Sequence, residues 1–205
     1  MSNEGHEARA AGGAGEPPRD EPIRIARYDP AWPARFAEER GHLSEAIGAR
    51  ATGGIHHVGS TAVPGLDAKP VIDILVGVDD LRASRGCFEA LERLSYVYAP
   101  YRSDEMHWFC KPRPSRRTHH LHLVPTDSRR FREELLFRDR LRTRAELAEA
   151  YSVLKRSLAK RFEHDREAYT TAKSAFIRDV LEEQGSCRER RQLAARRANS
   201  SSSRA

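Results

Sequence analysis

The chain has 205 residues and a formal net charge of +6 at pH 7, and it holds no apolar run near the roughly 18 residues that a membrane span requires. It opens with no secretory leader pattern and its three cysteines share no Cys-x-x-Cys spacing, so we expect a cytoplasmic protein with reduced thiols and no membrane association. Much of the positive charge lies in the Arg- and Ser-rich segment 185–205, which leaves the rest nearly balanced and does not favour a nucleic-acid partner.

Composition divides the chain into one folded domain and two tails. The Ala-, Gly- and Pro-rich start and the Ser- and Arg-rich end lack the apolar residues that packing requires. We expect disordered tails at residues 1–21 and 183–205, with a single domain over residues 22–182.

The predicted elements follow one another as a helix, a series of strands and a helical last third. Asp29 is expected to cap the first helix, with Pro30 at its first position. A second helix is expected to open at Asp79 or Asp80, within a series of strands predicted at residues 55–58, 71–78, 96–98, 107–110 and 118–124. This order predicts an α+β fold, with a small mixed sheet flanked by helices.

The last third of the domain, from Ser128 onwards, shows helical spacing of its apolar residues. Thr143 and Glu146 have the spacing of a capping box ahead of an apolar stripe, which predicts a helix start at that point. Asp165 is expected to cap the last helix, which carries Tyr169 on its apolar side.

Asp73 stands inside an apolar strand pattern. A carboxylate there costs several kcal/mol to desolvate unless it is paired or bound to a cation. The pattern therefore indicates either a metal- or phosphate-site carboxylate or an Asp at the strand end that bonds to local backbone.

The sequence "HVGST" follows the first predicted strand and offers a turn of small and polar residues. Gly59 allows a ligand to approach the backbone, while Ser60 and Thr61 supply hydrogen-bond donors for phosphate oxygens. His57 and Lys69 add an imidazole and an ammonium group, so this segment predicts a phosphate site. The alternative is an ordinary turn, with His57 as a hydrogen-bonded strand residue.

The stretch "RTHHLHLVP" places histidines at alternate positions of a predicted strand. Because side chains alternate between the faces of a sheet, His120 and His122 share one face and His119 lies on the other. Two imidazoles on one face can bind a metal ion or a phosphate, and a polar outward face of an edge strand is the alternative. We expect Asp73, His120 and His122 to meet in one pocket at the carboxyl end of the sheet, beside the Gly59–Ser60 turn.

Five segments, in chain order, resemble the GrpB family, which is also called UPF0157: "YDPAWPARF", "HVGSTAVPGLDAKPVIDILV", "HHLHLV", "FRDRLR" and "REAYTTAKSAFI". The resemblance runs over residues 22–182 and implies a nucleotidyltransferase-like fold, with a nucleoside triphosphate and a small-molecule acceptor as partners. Because similar domains are found fused behind dephospho-CoA kinase, it also implies a link to coenzyme A metabolism.

The nucleotidyltransferase superfamily uses a Gly-Ser turn for the triphosphate and two acids on the next strand for the metal. The resemblance therefore implies that Gly59–Ser60 binds phosphate and that Asp73 binds a divalent ion, Mg²⁺ or Mn²⁺, with Zn²⁺ as the alternative. Leu75 stands where the second acid is expected. His120 and His122 are therefore expected to complete both the catalytic and the metal-binding set.

Tyr169 and Lys173 lie within the last resembling segment, four residues apart, so that a hydroxyl and an ammonium group could reach a phosphate. Packing of Tyr169 and solvation of Lys173 are the alternative. The expected function is transfer of a nucleotidyl, or related phosphate-activated, group to a small molecule. Because the second acid is missing, two alternatives stay open: a non-catalytic nucleotide-binding accessory module, and a ligase or hydrolase acting on a phosphorylated small molecule.

Overall fold

The structure is a computed structural model that describes residues 21–182. The tails predicted at residues 1–21 and 183–205 lie outside the described residues, apart from Glu21, so the predicted domain bounds stay a prediction. None of the helices between residues 21 and 182 has the length and apolar character needed to cross a membrane.

A mixed five-stranded sheet forms the centre of the domain. Its strands, in chain order, are β1 Ile55–Val58, β2 Ile72–Val78, β3 Val97–Tyr98, β4 His107–Arg113 and β5 Arg116–Pro125. Their spatial order is β1-β2-β5-β4-β3, with β2 and β5 parallel and the other neighbours antiparallel. The five predicted strands are therefore confirmed, although β4 and β5 extend further than the sequence pattern indicated.

Helices cover the sheet and form the last third of the domain. They are α1 Trp32–Ile47, α2 Leu81–Ser84, α3 Phe88–Arg93, α4 Arg129–Thr143, α5 Ala145–Arg161 and α6 Arg166–Ala172. The chain is helical again over residues 174–182. The predicted α+β class, with a small mixed sheet and a helical C-terminal third, is confirmed.

The two faces of the sheet pack against different helices. The face that we call the α1 face holds the larger apolar core, where α1 and α3 cover side chains that alternate along the two central strands: Ile72, Ile74, Val76, Val78, Leu121 and Leu123. The opposite face, the α4 face, packs against Phe131 and Leu135 of α4. Its side chains on the central strands are Asp73, Leu75, His120, His122 and Val124. Strand alternation thus puts Asp73, His120 and His122 on the same face of the sheet.

Two predicted helix caps are confirmed and two predicted starts are wrong. Asp80 and Asp165 each accept a hydrogen bond from a backbone N–H in the first turn of α2 and α6. Ser128, from which the sequence predicted a helical region, caps α4 in the same way. The first helix begins at Trp32 rather than at Pro30, because Asp29 Oδ1 instead accepts from the Ala31 N–H in a turn ahead of the helix.

The predicted capping box at Thr143 is also wrong. The Thr143 hydroxyl donates back to the carbonyl oxygen of Asp139, 2.9 Å away, and so belongs to the end of α4. Arg144 occupies the cap position of α5 and provides no side-chain hydrogen bond there. A short α4–α5 junction explains the difference, because one residue separates the two helices.

Candidate functional site

A direct hydrogen bond joins the central strands of the sheet on the α4 face. Asp73 on β2 lies opposite His120 on β5, and His120 Nδ1 is 2.9 Å from Asp73 Oδ1. Both side chains are partly exposed, His120 by 16% and Asp73 by 30%. The parallel register therefore brings together two residues that the sequence separates by 47 positions.

The pair lies at the amino end of β2, and the expected position at the carboxyl end of the sheet is wrong. Because β1 runs antiparallel to β2, its last residue Val58 lies opposite Asp73. The turn that follows β1 consequently falls beside the start of β2. Asp73 and Gly59 are brought together by this antiparallel pairing.

Gly59 provides the space for the Asp73 carboxylate. Its φ is +68°, in the region that favours glycine, and a Cβ built there would lie 2.3 Å from Asp73 Oδ2. The missing side chain of Gly59 therefore makes room for the carboxylate of Asp73. Binding of a phosphate by Gly59 and Ser60 stays a prediction.

The protonation states of the pair follow from burial and from the hydrogen bond. Burial opposes ionisation of Asp73, but the hydrogen bond from His120 and the nearby His122 outweigh it and lower the pKa of the carboxyl. Burial lowers the pKa of His120 despite the attraction of Asp73, which favours a neutral imidazole. Since Nδ1 donates to the carboxylate, Nε2 carries the lone pair.

His120 Nε2 is buried and forms no hydrogen bond to any of the residues 21–182. Buried polar atoms without partners are costly, and those that persist are often found at functional sites. His120 also lines a pocket of about 400 Å³, together with Glu21, Pro22, Arg24, Lys69, Pro70, Val71, Arg117 and Arg166. The pocket walls carry several cationic groups and one carboxylate, which favours an anionic ligand.

Glu134 on α4 is a site residue that sequence reasoning missed. Its Oε2 lies 3.4 Å from His122 Nδ1, and its Oε1 lies 2.9 Å from Arg130 Nε. Burial opposes its ionisation, but His122 and Arg130 together lower the pKa of its carboxyl. A second carboxylate–histidine pair thus lies on the α4 face. Leu75 occupies the position where the second acid was expected, and it is fully buried in an apolar cluster with Phe131.

Three lysines surround the site, and the sequence indicated only two of them. Lys69 and Lys173 place their Nζ atoms 5.6 Å and 4.5 Å from the centre of the Tyr169 ring. Lys155 on α5 is 2% exposed, and its Nζ donates to the Asp67 carbonyl.

These lysines carry shifted pKa values because they are buried beside one another. Burial, followed by the charge of Lys173, lowers the pKa of Lys69 to about 8 and that of Lys155 to about 7. Burial also lowers the pKa of Lys173, against the attraction of Asp73. Asp73 attracts all three ammonium groups, so the charges of the three lysines and of this carboxylate are coupled.

His57 and Thr61 are bound to each other. His57 Nε2 lies 3.0 Å from the Thr61 hydroxyl, which also donates to the Val71 carbonyl. The His57 ring stacks on Phe36 at 4.7 Å, and burial lowers its pKa to about 4. These contacts hold the turn after β1 in place, so a phosphate contact by either residue would require them to break.

The divalent ion that the sequence led us to expect stays a prediction. His120 Nδ1 is occupied by Asp73, and His122 Nδ1 faces Glu134. Within residues 21–182, no group of three or more His, Cys, Asp or Glu side chains is arranged to hold a metal ion. Lysine ammonium groups contribute positive charge close to these residues.

Comparisons with known proteins agree on one family. A family model described as GrpB protein matches residues 22–183. A UPF0157 protein of Pseudomonas aeruginosa is 40% identical over 167 residues, which cover 79% of this chain and 67% of that protein. The crystal structure of the conserved protein GrpB from Enterococcus faecalis has a TM-score of 0.71 and 32% identity, covering 78% of this chain and 96% of that one.

One matched relative is a longer protein that carries the name of an enzyme. The dephospho-CoA kinase of Mycolicibacterium paratuberculosis is 31% identical over 186 residues, and the match covers 78% of this chain and 45% of the kinase. The chain therefore spans less than half of that relative.

Proposed function

This chain belongs to the GrpB family, and we propose that it transfers a phosphate-linked group, such as a nucleotidyl group, from a nucleoside triphosphate to a small-molecule acceptor. The observation that carries the proposal is the Asp73–His120 hydrogen bond, with the other ring nitrogen of His120 buried and without a partner beside a pocket lined by cationic groups. A histidine oriented by a carboxylate is a general base, and cationic groups bind phosphates.

In the proposed reaction, neutral His120 accepts the proton of an acceptor hydroxyl through Nε2. The acceptor oxygen bonds to the α-phosphorus while the bond from that phosphorus to the pyrophosphate oxygen breaks. Asp73 keeps the proton on Nδ1 and stabilises the imidazolium that forms. Lys69 and Lys173 stabilise the charge that develops on the phosphate oxygens.

The lysine cluster supports a mechanism that does not depend on two protein-held metal ions. With Leu75 in the apolar core, the site lacks the paired acids that such ions need. The ammonium groups of Lys69 and Lys173, both of which Asp73 attracts, can neutralise phosphate charge instead. Water in place of the acceptor would give hydrolysis by the same steps, which is the hydrolase alternative.

The acceptor is best sought among coenzyme A precursors. The match to a dephospho-CoA kinase supports a link to this class of nucleotide, although the chain covers less than half of that enzyme. Dephospho-CoA and pantetheine phosphates are therefore the first acceptors to test with the common nucleoside triphosphates.

Pyrophosphate release tests the proposal, with His120→Asn as the test variant and His119→Asn as its control. His119 is the neighbour of His120 on the same strand, but its side chain lies on the opposite face of the sheet. Loss of a general base lowers a rate by about 100-fold or more, so we expect that loss for His120→Asn and little change for His119→Asn.

The same assay is run with Mg²⁺ and with EDTA, and we expect turnover in both. Equal rates in the two histidine variants would contradict the role of His120. A wild-type protein that binds nucleoside triphosphates through Lys69 but releases no pyrophosphate would instead be a nucleotide-binding accessory module, which the apolar position of Leu75 favours among the alternatives.

A further inference from the structure

The α4 face of the sheet is partly exposed along its β3 edge. Helix α4 packs on β1 and β5, whereas β3 forms the far edge of the sheet. Val97 of β3 lies opposite Cys110, and Cys110 lies opposite His120, so the Val97 side chain is on the α4 face. Val97 is 38% exposed, and Tyr101 in the loop that follows β3 is exposed as well. Apolar side chains on this edge are therefore open to solvent.

Trp108 of β4 lies between this apolar edge and the Asp73–His120 pair. It lies opposite His122, so its side chain is also on the α4 face, where it is half-buried. The centre of its ring is 5.2 Å from that of His120 and 5.1 Å from the Arg117 guanidinium. Both neighbours line the pocket described above. The indole of Trp108 therefore borders the place where the proposed reaction occurs.

The dimensions of this part of the sheet suit a nucleotide. Neighbouring strands are about 4.8 Å apart, so Val97, two strands from His120, lies roughly 10 Å from it, with Trp108 on the strand between them. In a nucleotide, one ribose separates the α-phosphate from the base. A base attached to a phosphate beside His120 therefore reaches Trp108, and aromatic side chains bind bases by stacking.

We infer that the nucleobase of the nucleoside triphosphate stacks on Trp108 and contacts Val97, while its phosphates lie beside His120 and Lys69. The inference rests on the proposed function and deepens it, because that proposal assigns residues to the phosphates but none to the base. The exposure of Val97 beside the pocket is then the exposure of an apolar ligand site.

Calorimetry with ATP and with tripolyphosphate tests this inference, because the two probes share three linked phosphates and differ in the nucleoside. Stacking of a base contributes a factor of about 10 or more, so ATP should bind the wild-type protein about tenfold more tightly than tripolyphosphate. Trp108→Ala should lower the ATP affinity about tenfold and change the tripolyphosphate affinity less than about threefold. Trp108→Phe keeps an aromatic ring and should keep ATP affinity within about threefold of the wild type.

Tryptophan fluorescence provides a second measurement on the same site. The chain has two tryptophans, and the other one, Trp32, is buried in the core of the α1 face, away from a ligand on the α4 face. ATP should therefore quench the emission of Trp108, whereas tripolyphosphate should not. Trp108→Phe should abolish the quenching while ATP still binds.

Two exposed valines provide a matched pair of variants. Val97→Ala removes two methyl groups from the proposed base site and should weaken ATP binding about threefold, because less apolar surface is buried on binding. Val153→Ala makes the same change on the exposed side of α5 and should leave ATP binding unchanged. Thermal unfolding of each variant shows whether it is folded, and the valine pair tests the inference even if Trp108→Ala does not fold.

The outcomes separate this inference from the proposed function. If both probes bind the wild type equally well, the base site is wrong and the phosphate site stands. The same holds if Trp108→Ala weakens both probes equally, since Trp108 would then only orient His120. If neither probe binds the wild type, the proposed function and the inference both fail. If ATP binding depends on Trp108 while Lys69→Met changes neither affinity, the base site stands and the proposed role of Lys69 fails.

Discussion

The two faces of the sheet differ in how their buried charges are paired. On the α1 face, Lys111 Nζ lies 3.0 Å and 2.9 Å from the two carboxylate oxygens of Glu39, so one cation meets one anion. On the α4 face, Asp73 is attracted to a histidine and to three ammonium groups. A closed pair leaves no net charge for a ligand, whereas an excess of cations near one carboxylate does.

The contrast arises within single strands. Neighbouring residues His119, His120 and Leu121 of β5 point to alternate faces, so the apolar α1 face and the polar α4 face share one backbone. Rigid packing on the first face therefore fixes the position of the side chains on the second. Substitutions on the α1 face should therefore change stability, and substitutions on the α4 face should change ligand binding.

A cavity in the α1 face should have the largest effect on stability. Leu43 is fully buried in that core, so Leu43→Ala should lower the free energy of unfolding by about 2–5 kcal/mol. Urea denaturation measures this change, and calorimetry on the folded variant should give unchanged tripolyphosphate affinity. Weakened binding by folded Leu43→Ala protein would show that the two faces are not separable.

Breaking the Glu39–Lys111 ion pair should have the next largest effect on stability. Glu39 is buried, with a side chain only 6% exposed, so Glu39→Gln should cost about 3 kcal/mol because it leaves the Lys111 ammonium without its carboxylate. The double variant Glu39→Leu with Lys111→Met should recover most of that loss. A denaturation cycle over the four proteins measures the coupling, and an additive result would contradict a closed pair.

Removing the buried cation of Lys155 should raise the free energy of unfolding instead of lowering it. The pKa of Lys155 is lowered to about 7 from 10.5 by burial and by Lys173. Between these values the unfolded chain binds more protons than the folded one, so stability rises with pH through this window. Lys155→Met should raise the free energy of unfolding at pH 7 by about 1 kcal/mol and flatten its rise between about pH 7 and 9.

The measurement is urea denaturation over that pH range, with Lys160→Met, on the same helix, as the control. A Lys155→Met variant that loses stability at pH 7 would show that the bond to the Asp67 carbonyl outweighs the desolvation of the charge.

The smallest effect is expected at Tyr169, whose ring is close to two ammonium groups. Tyr169→Phe keeps the ring that Lys69 and Lys173 contact, so tripolyphosphate affinity should change less than about threefold, whereas Tyr169→Leu should lower it about tenfold. Calorimetry compares the two variants. If Phe weakens binding as much as Leu, the hydroxyl binds phosphate, as the sequence led us to expect.

Local patterns predicted the elements of this fold, since period-two alternation and helix caps depend on neighbouring residues. They also put His120 and His122 on one face of a strand, which the structure bears out. The contact between Asp73 and His120 depends instead on β2 and β5 being neighbours, and strand order is a long-range property. The reversed position of the site along β2 has the same cause, because nothing local requires β1 to run antiparallel.

The sequence pattern around Glu134 and Lys155 indicates only ordinary helices and therefore did not identify either residue. Lys155 follows Tyr151 by four positions and lies on the apolar side of α5, while Glu134 follows Phe131 by three on α4. A charged residue on an apolar helix stripe was the available signal. Which partner it meets could not be derived, because that depends on how the helix docks on the sheet.

The parallel pairing of β2 with β5 also determines when this protein can acquire a binding site. Asp73 and His120 are 47 positions apart in the sequence, and α2, α3, β3 and β4 lie between them. Closing so long a segment costs chain entropy that only the completed sheet repays. A nascent chain on the ribosome therefore has no site until β5 has emerged, and a phosphate ligand would stabilise the finished domain without guiding its earlier folding.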